Sequence, residues 1–148
     1  MIARRDFVLL AAALLASLAA FAHAQPIARD QREALNAAER WLVPVDAQRY
    51  ADAWAMGAAS LKATVGRNEF RDGMRDLRKE YGRVVLRKAE KMAYVGAPPS
   101  PEDGGTKEGA QVSILFDTKF VRNRQATEEL LMELERDGLW RVAGYFIR

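Results

Sequence analysis

The sequence contains no cysteine and a single histidine, His23. Without cysteine there are no disulfides and no lipid-modified amino-terminal thiol. His23 falls in a segment expected to be removed, so the remaining chain carries neither imidazole nor thiol. Zinc loses its usual ligands, and acid–base work is left to carboxylates, tyrosines and lysines. Phosphate loops are missing too: Gly104-Gly105 is followed directly by no lysine and by no helix start. With no disulfide to help, a core must stabilise the fold alone, which a domain of about 120 residues can do.

What is present begins with a targeting segment. Arg4 and Arg5 precede an apolar run from Phe7 to Phe21, and Ala22-His23-Ala24 has the small-x-small form of a cleavage site. The expectation is a signal peptide over residues 1–24, cut after Ala24, with a periplasmic or secreted product and no stable membrane anchor afterwards. The run is short for a membrane span of about 20 residues. Arg4-Arg5-Asp6-Phe7-Val8-Leu9 also resembles a twin-arginine export signal, and the general secretory and twin-arginine routes both stay open. Residues 25–148 then form one domain of ordinary globular composition, 49% hydrophobic and 29% charged.

Periodicity predicts three helices followed by a sheet. Asp30-Gln31-Arg32-Glu33 has capping-box spacing, Leu35, Ala38, Trp41 and Leu42 share a face, and Pro44 is expected to end the first helix. Asp46 reads as the cap of a second helix carrying Tyr50, Trp54, Gly57 or Ala58, Leu61 and Val65. Asn68 reads as the cap of a third, with Phe70, Met74, Leu77 and Tyr81 on one face and Gly82 at its end. From Arg83 the period changes to two. Val84, Leu86, Met92 and Tyr94 have one parity, Arg87 and Lys91 the other. Three prolines and paired glycines between Gly96 and Gly105 exclude regular structure there. Gln111 to Val121 alternates with Val112, Ile114, Phe116 and Phe120 on one side.

The closing hairpin organises the whole. Asp137-Gly138 is a turn signal. A three-residue loop, Arg136-Asp137-Gly138, sets Glu135 opposite Leu139 and Glu133 opposite Arg141, so that Leu130, Met132, Leu134, Trp140, Val142 and Phe146 share an apolar face. A two-residue loop would put the glutamates there instead. The fold class expected is α+β: three N-terminal helices packed on a four-stranded antiparallel β-meander in a cone-like arrangement.

Trp41-Leu42 with Asp46, Tyr50 and Trp54, then Gly82, Thr118 with Phe120 and Asn123, and Asp137-Gly138 before Trp140-Arg-Val-Ala-Gly-Tyr-Phe-Ile147 carry a likeness. Through them most of residues 30–148 resembles the bacterial domain-of-unknown-function 4019 family, small exported proteins with no assigned activity. The family often has glycine shortly after the equivalent of Asp46, where this chain has Ala47-Gln48. The arrangement also looks like nuclear-transport-factor-2-like and cystatin-like cones, an analogy of fold only. The resemblance implies no catalytic residues.

Among the residues themselves no catalytic constellation is visible. Asp46 or Asp52 with Tyr50, Tyr81 or Tyr145 are the nearest pieces, but Asp46 reads as a cap, Asp52 points away from Tyr50, and no inward carboxylate lies on Val112 to Phe120. Glu102-Asp103 is too sparse for calcium, so no metal or other cofactor is expected. Arg67, Arg71, Arg75 and Arg78, continued by Arg83, Arg87, Lys88 and Lys91, are interleaved with Asp72, Asp76 and Glu80. They read as a solvated, salt-bridged face and not as a nucleic-acid surface. A ligand pocket between helices and sheet would be lined by Trp54, Tyr81, Phe116 and Trp140. A partner or self-association surface would use Leu115, Leu131, Ala143, Tyr145 and Ile147 on the opposite face. The expectation is a small exported binding or interaction protein, the alternative an enzyme or small-molecule binder using the cone pocket.

Overall fold

The computed structural model describes residues 29–100, 102, 104–122 and 124–148. The expected signal peptide, Asp103 and Asn123 lie outside the described residues. Helix α1 covers residues 29–46, and is followed by α2 (Tyr50–Met56), α3 (Ala59–Thr64), α4 (Arg67–Tyr81), β1 (Val84–Tyr94), β2 (Gln111–Phe120), β3 (Gln125–Leu134) and β4 (Trp140–Ile147). The strands form one antiparallel meander in the order β1-β2-β3-β4. The class is therefore α+β, with four helices among the described residues where the periodicity predicts three. Among the described residues no helix is long and apolar enough to cross a membrane.

The extra helix comes from a break at Gly57-Ala58. The Ala58 N–H leaves the helical ladder and donates to the Val142 carbonyl at 2.8 Å, tying the helical layer to β4. Gly57 permits the approach: a Cβ there would lie 2.6 Å from Leu61 Cδ2 and 3.2 Å from the Trp54 carbonyl. Across the same seam Ala59 N–H donates to Glu135 at 2.7 Å and Ser60 to Glu133 at 3.1 Å.

Helix α1 departs from its expected ends. Arg29 and Asp30 are already helical, so Asp30 is no cap; its carboxylate accepts from the Tyr94 and Thr106 hydroxyls, and Glu33 pairs with Arg29 at 2.9 Å. Pro44 does not stop the helix, which runs on to Asp46. The missing N–H costs one bond in the last turn, and burial of Pro44 and Val45 against the core offsets it. The chain then turns through Gln48 at φ 60°, a left-handed conformation that suits the glycine of the resembling family. Asp46 caps nothing: the residue ahead of α2 is Arg49, with no side-chain capping bond. Likewise Gly66, not Asn68, precedes α4.

The closing hairpin takes the three-residue loop. Glu135 N–H donates to the Leu139 carbonyl at 3.1 Å, Glu133 pairs with Arg141, and Gly138 has φ 76°. Leu130, Met132, Trp140 and Val142 pack into a common core with Trp41, Phe70, Met74, Val112, Ile114 and Phe116. Phe146 does not join them and is 48% exposed. The cause is a bulge: Leu131 pairs with Gly144 but Met132 with Val142, so Ala143 is an extra residue and parity reverses beyond it. Tyr145, opposite Leu130, faces inward and Phe146, opposite Glu129, faces outward.

Two more bulges act on β1, at Val84/Leu86 and at Ala89/Lys91. Between them parity is inverted relative to a regular strand. Leu86, expected inside, is 64% exposed. Arg87, expected outside, is delivered to the inner face.

Candidate functional site

The inner face carries a group of polar side chains that apolar periodicity does not announce. Each comes from a different element: Asp46 from the end of α1, Arg78 from α4, Arg87 from β1, Thr118 from β2, Glu128 from β3 and Tyr145 from β4. Glu128 is completely buried, as is Thr118, and Arg78 is 5% exposed. A charge taken from water at such depth costs several kcal/mol unless it is paired and hydrogen-bonded.

The pairing is dense. Glu128 Oε1 accepts from Tyr145 at 2.5 Å, Arg87 Nη2 at 3.0 Å and Arg78 Nη1 at 3.3 Å. Its Oε2 accepts from Thr118 at 2.5 Å and Arg87 Nε at 2.6 Å. Five donors on a group with about four lone-pair sites leave no acceptor free. Asp46, at the rim, takes Arg87 in a two-pronged grip at 2.6 and 3.0 Å and Arg78 Nη2 at 3.1 Å. Two guanidinium ions thus face two carboxylates, and the group is neutral. Arg78 also donates to the Tyr145 hydroxyl at 3.2 Å and stacks over Phe120, 5.3 Å from its ring centre.

Protonation follows from these contacts. Burial, then the charge of Glu128, pushes the Tyr145 phenol well above its ordinary value of 10.0, so it stays a neutral donor. Burial by itself would lower Arg87, but its hydrogen bonds to Asp46 and Glu128 and their charges outweigh this and hold the guanidinium protonated. Chemically, the arrangement binds six elements together and leaves its buried carboxylate without a free lone pair for taking a proton.

Two clefts open at the edges of the helical layer. One, of about 330 Å³, is lined by Asp46, Gln48, Tyr50, Arg75, Arg78, Lys79, Gly82 and Arg83. The other, of about 370 Å³, lies between α1 and the hairpin loop, where Trp41, Met56, Leu139 and Trp140 supply apolar walls and Glu33, Arg40 and Arg141 polar ones. Of the four residues expected to line a central pocket, only Trp140 borders either of these clefts. Phe116 is filled core, 2% exposed. Tyr81 lies against Phe120, ring centres 5.1 Å apart, and Trp54 is half-buried with its indole N–H on the Val65 carbonyl at 2.9 Å. The four are not gathered around one cavity.

The expected contact surface is divided as well. Leu115, Leu131 and Ala143 are half-buried, with Leu115 and Leu131 on the outer face. Tyr145, and Ile147 opposite Glu128, are turned to the inner one by the bulge. Phe146 takes Tyr145's place outside. Between Leu115 and Phe146 stands Glu129, hydrogen-bonded to Ser113 and paired with Arg148, so the outer face is not a continuous apolar patch.

The basic helix face is also split. Arg71 and Arg75 share Asp72 at the surface, while Arg78 and Arg87 belong to the interior. Arg78 was within reach of sequence reasoning, since Phe70, Met74 and Arg78 follow the four-residue spacing of one helix face. Glu128 was too, because it shares the parity of Leu130 and Met132. Arg87 was not, because bulges without a glycine or proline signature set its direction; for Tyr145 the one signal was Gly144 inside the strand, next to the extra residue Ala143.

A family model described as "Protein of unknown function (DUF4019)" matches residues 37–145. No curated protein matches the chain. Among solved structures, a protein from Catenulispora acidiphila aligns over 90% of this chain and 94% of its own, at 12% identity and a TM-score of 0.41.

Proposed function

The chain belongs to the DUF4019 family of proteins of unknown function, and from that premise we propose that it is a small exported binding module and not an enzyme. The observation that carries this is the occupancy of Glu128. The one fully buried carboxylate among the described residues is engaged by five donors, so it has no lone pair left to act as a base. The space between helices and sheet is filled by Trp41, Phe116, Ile114, Leu130 and Met132. Room for a ligand exists at the rims instead, in clefts whose volumes fall at the lower end of small-molecule sites. Export is supported by Arg4-Arg5, the apolar run to Phe21 and the Ala22-His23-Ala24 site.

Native mass spectrometry of protein recovered from the periplasm tests both parts. The expected result is a chain beginning at Gln25 that retains a small ligand. A chain still beginning at Met1 in the cytoplasm would refute export, and release of a chemically altered ligand on incubation would refute the binding role. Subunit count in the same spectra reports whether Leu115, Leu131 and Phe146 support self-association.

A further inference from the structure

The cleft at the carboxyl end of α4 is the more chemically specific of the two. Four cationic side chains, Arg75, Arg78, Lys79 and Arg83, line it against one carboxylate, Asp46. That carboxylate adds little repulsion, because both its oxygens are taken by Arg78 and Arg87. Arg75 is shared with Asp72. Lys79 and Arg83 are exposed and have no ion-pair partner among the described residues.

A second, independent feature points inward to the same space. Tyr50 is 6% exposed, yet its hydroxyl makes no hydrogen bond among the described residues, and Arg78 Nε, also buried beside the cleft, has no partner either. Tyr50 lines the cleft, and its phenol feels the charges of Arg78, Asp46 and Arg75 that line it too. Burial holds its phenol above the ordinary value, so it remains an O–H donor at neutral pH. Gln48 adds an amide from a backbone position at φ 60°, the one left-handed residue other than glycine among those described. A side chain there costs about 1 kcal/mol of strain that glycine would avoid.

We propose that this cleft is an anion site for a phosphate-bearing small molecule or headgroup. Lys79 and Arg83 supply the two uncompensated positive charges that match a phosphate dianion, and Tyr50 and Gln48 supply neutral donors beside them. The partial negative charge of the last-turn carbonyls of α4 opposes this, but Arg78 and Lys79 lie in the same turn, and the Arg78 carbonyl is already taken by the Gly82 N–H at 3.0 Å. The proposal rests on the binding-module reading and names its ligand class.

The test is NMR titration of the mature protein with inorganic pyrophosphate, alongside flotation with phosphatidylglycerol vesicles. Saturable shifts at Gln48, Tyr50, Lys79 and Arg83 are expected, weakened at least about 10-fold in Lys79→Gln/Arg83→Gln and in Tyr50→Phe, as hydrogen bonds to charged groups imply. Removing the same charge elsewhere, in Lys62→Gln/Lys88→Gln, is expected to change affinity less than about 2-fold. Flotation that pyrophosphate competes away identifies a lipid headgroup as the source, and titration without flotation identifies a soluble phosphate; both support the site. No saturable shift, or equal weakening by both double variants, overturns it. In that event a ligand retained in the native spectra would leave the binding-module reading standing.

Discussion

Replacing Glu128 by glutamine tests whether the buried charges hold the fold together. The substitution keeps volume and one acceptor oxygen but removes the charge and aims an NH₂ at donors. Arg78 and Arg87 are then left with Asp46, itself one-third exposed, as their only carboxylate. Summing five lost bonds at about 1.5–3 kcal/mol each would consume essentially the whole stability of about 5–15 kcal/mol expected of such a domain, although glutamine keeps one acceptor oxygen, so simple addition is the wrong measure. The better comparison is the removal of one partner from a buried ion pair, which costs about 3–5 kcal/mol. With a urea slope of about 1–3 kcal/mol per molar, the unfolding midpoint followed by tryptophan fluorescence falls by roughly 2 M. Adding Arg87→Gln restores charge balance and recovers part of the loss, a coupling of about 1–3 kcal/mol. A Glu128→Gln midpoint at or above that of the parent would refute the reasoning, since that is what a carboxylate kept for chemistry at the expense of stability gives.

Other expectations follow from the same contacts. Val142→Ala costs about 2 kcal/mol and Phe146→Ser less than about 1, the order set by the bulge at Ala143; equal losses in urea melts would place Phe146 in the core. Gly57→Ala costs about 1–3 kcal/mol because its Cβ meets Leu61 and the Trp54 carbonyl, whereas Gly66→Ala, with nothing within 4 Å, is close to neutral by thermal melting. The Tyr145 phenol is raised on folding from 10.0, so its contribution is fully present below about pH 10 and lost as pH rises beyond it, by up to about 1.4 kcal/mol per pH unit. Tyr145→Phe therefore narrows its stability deficit against the parent above pH 10, and parallel stability–pH curves would contradict this.

Much of the fold was legible because it follows local rules. The hairpin register came from Asp137-Gly138 and the cost of burying glutamates, and β2 from its clean alternation. What failed has two physical sources. Tertiary burial overrode local signals at Pro44 and Asp46, where core contacts and ion pairs outweigh helix breaking and capping. Bulges overrode parity on β1 and β4, where one extra residue turns every following side chain over. The second effect hid the site: Arg87 and Tyr145 sit next to bulges, and an alternation count assigns both to the wrong face. Glu128 was visible in principle, since its strand parity places it beside Leu130. Its role depended on cations that only the assembled sheet supplies.

Both oxygens of the fully buried Glu128 are engaged by donors and shut off from water. Solvent exchange of the Arg87 Nε–H and the Tyr145 hydroxyl, measured by NMR at neutral pH in the intact protein, tests this most directly. Both protons donate to Glu128, at 2.6 and 2.5 Å, and resolved signals exchanging at least 100-fold more slowly than the exposed Arg136 Nε–H are expected. Exchange as fast as at Arg136 would mean that water reaches Glu128, and the carboxylate would again be a candidate for chemistry.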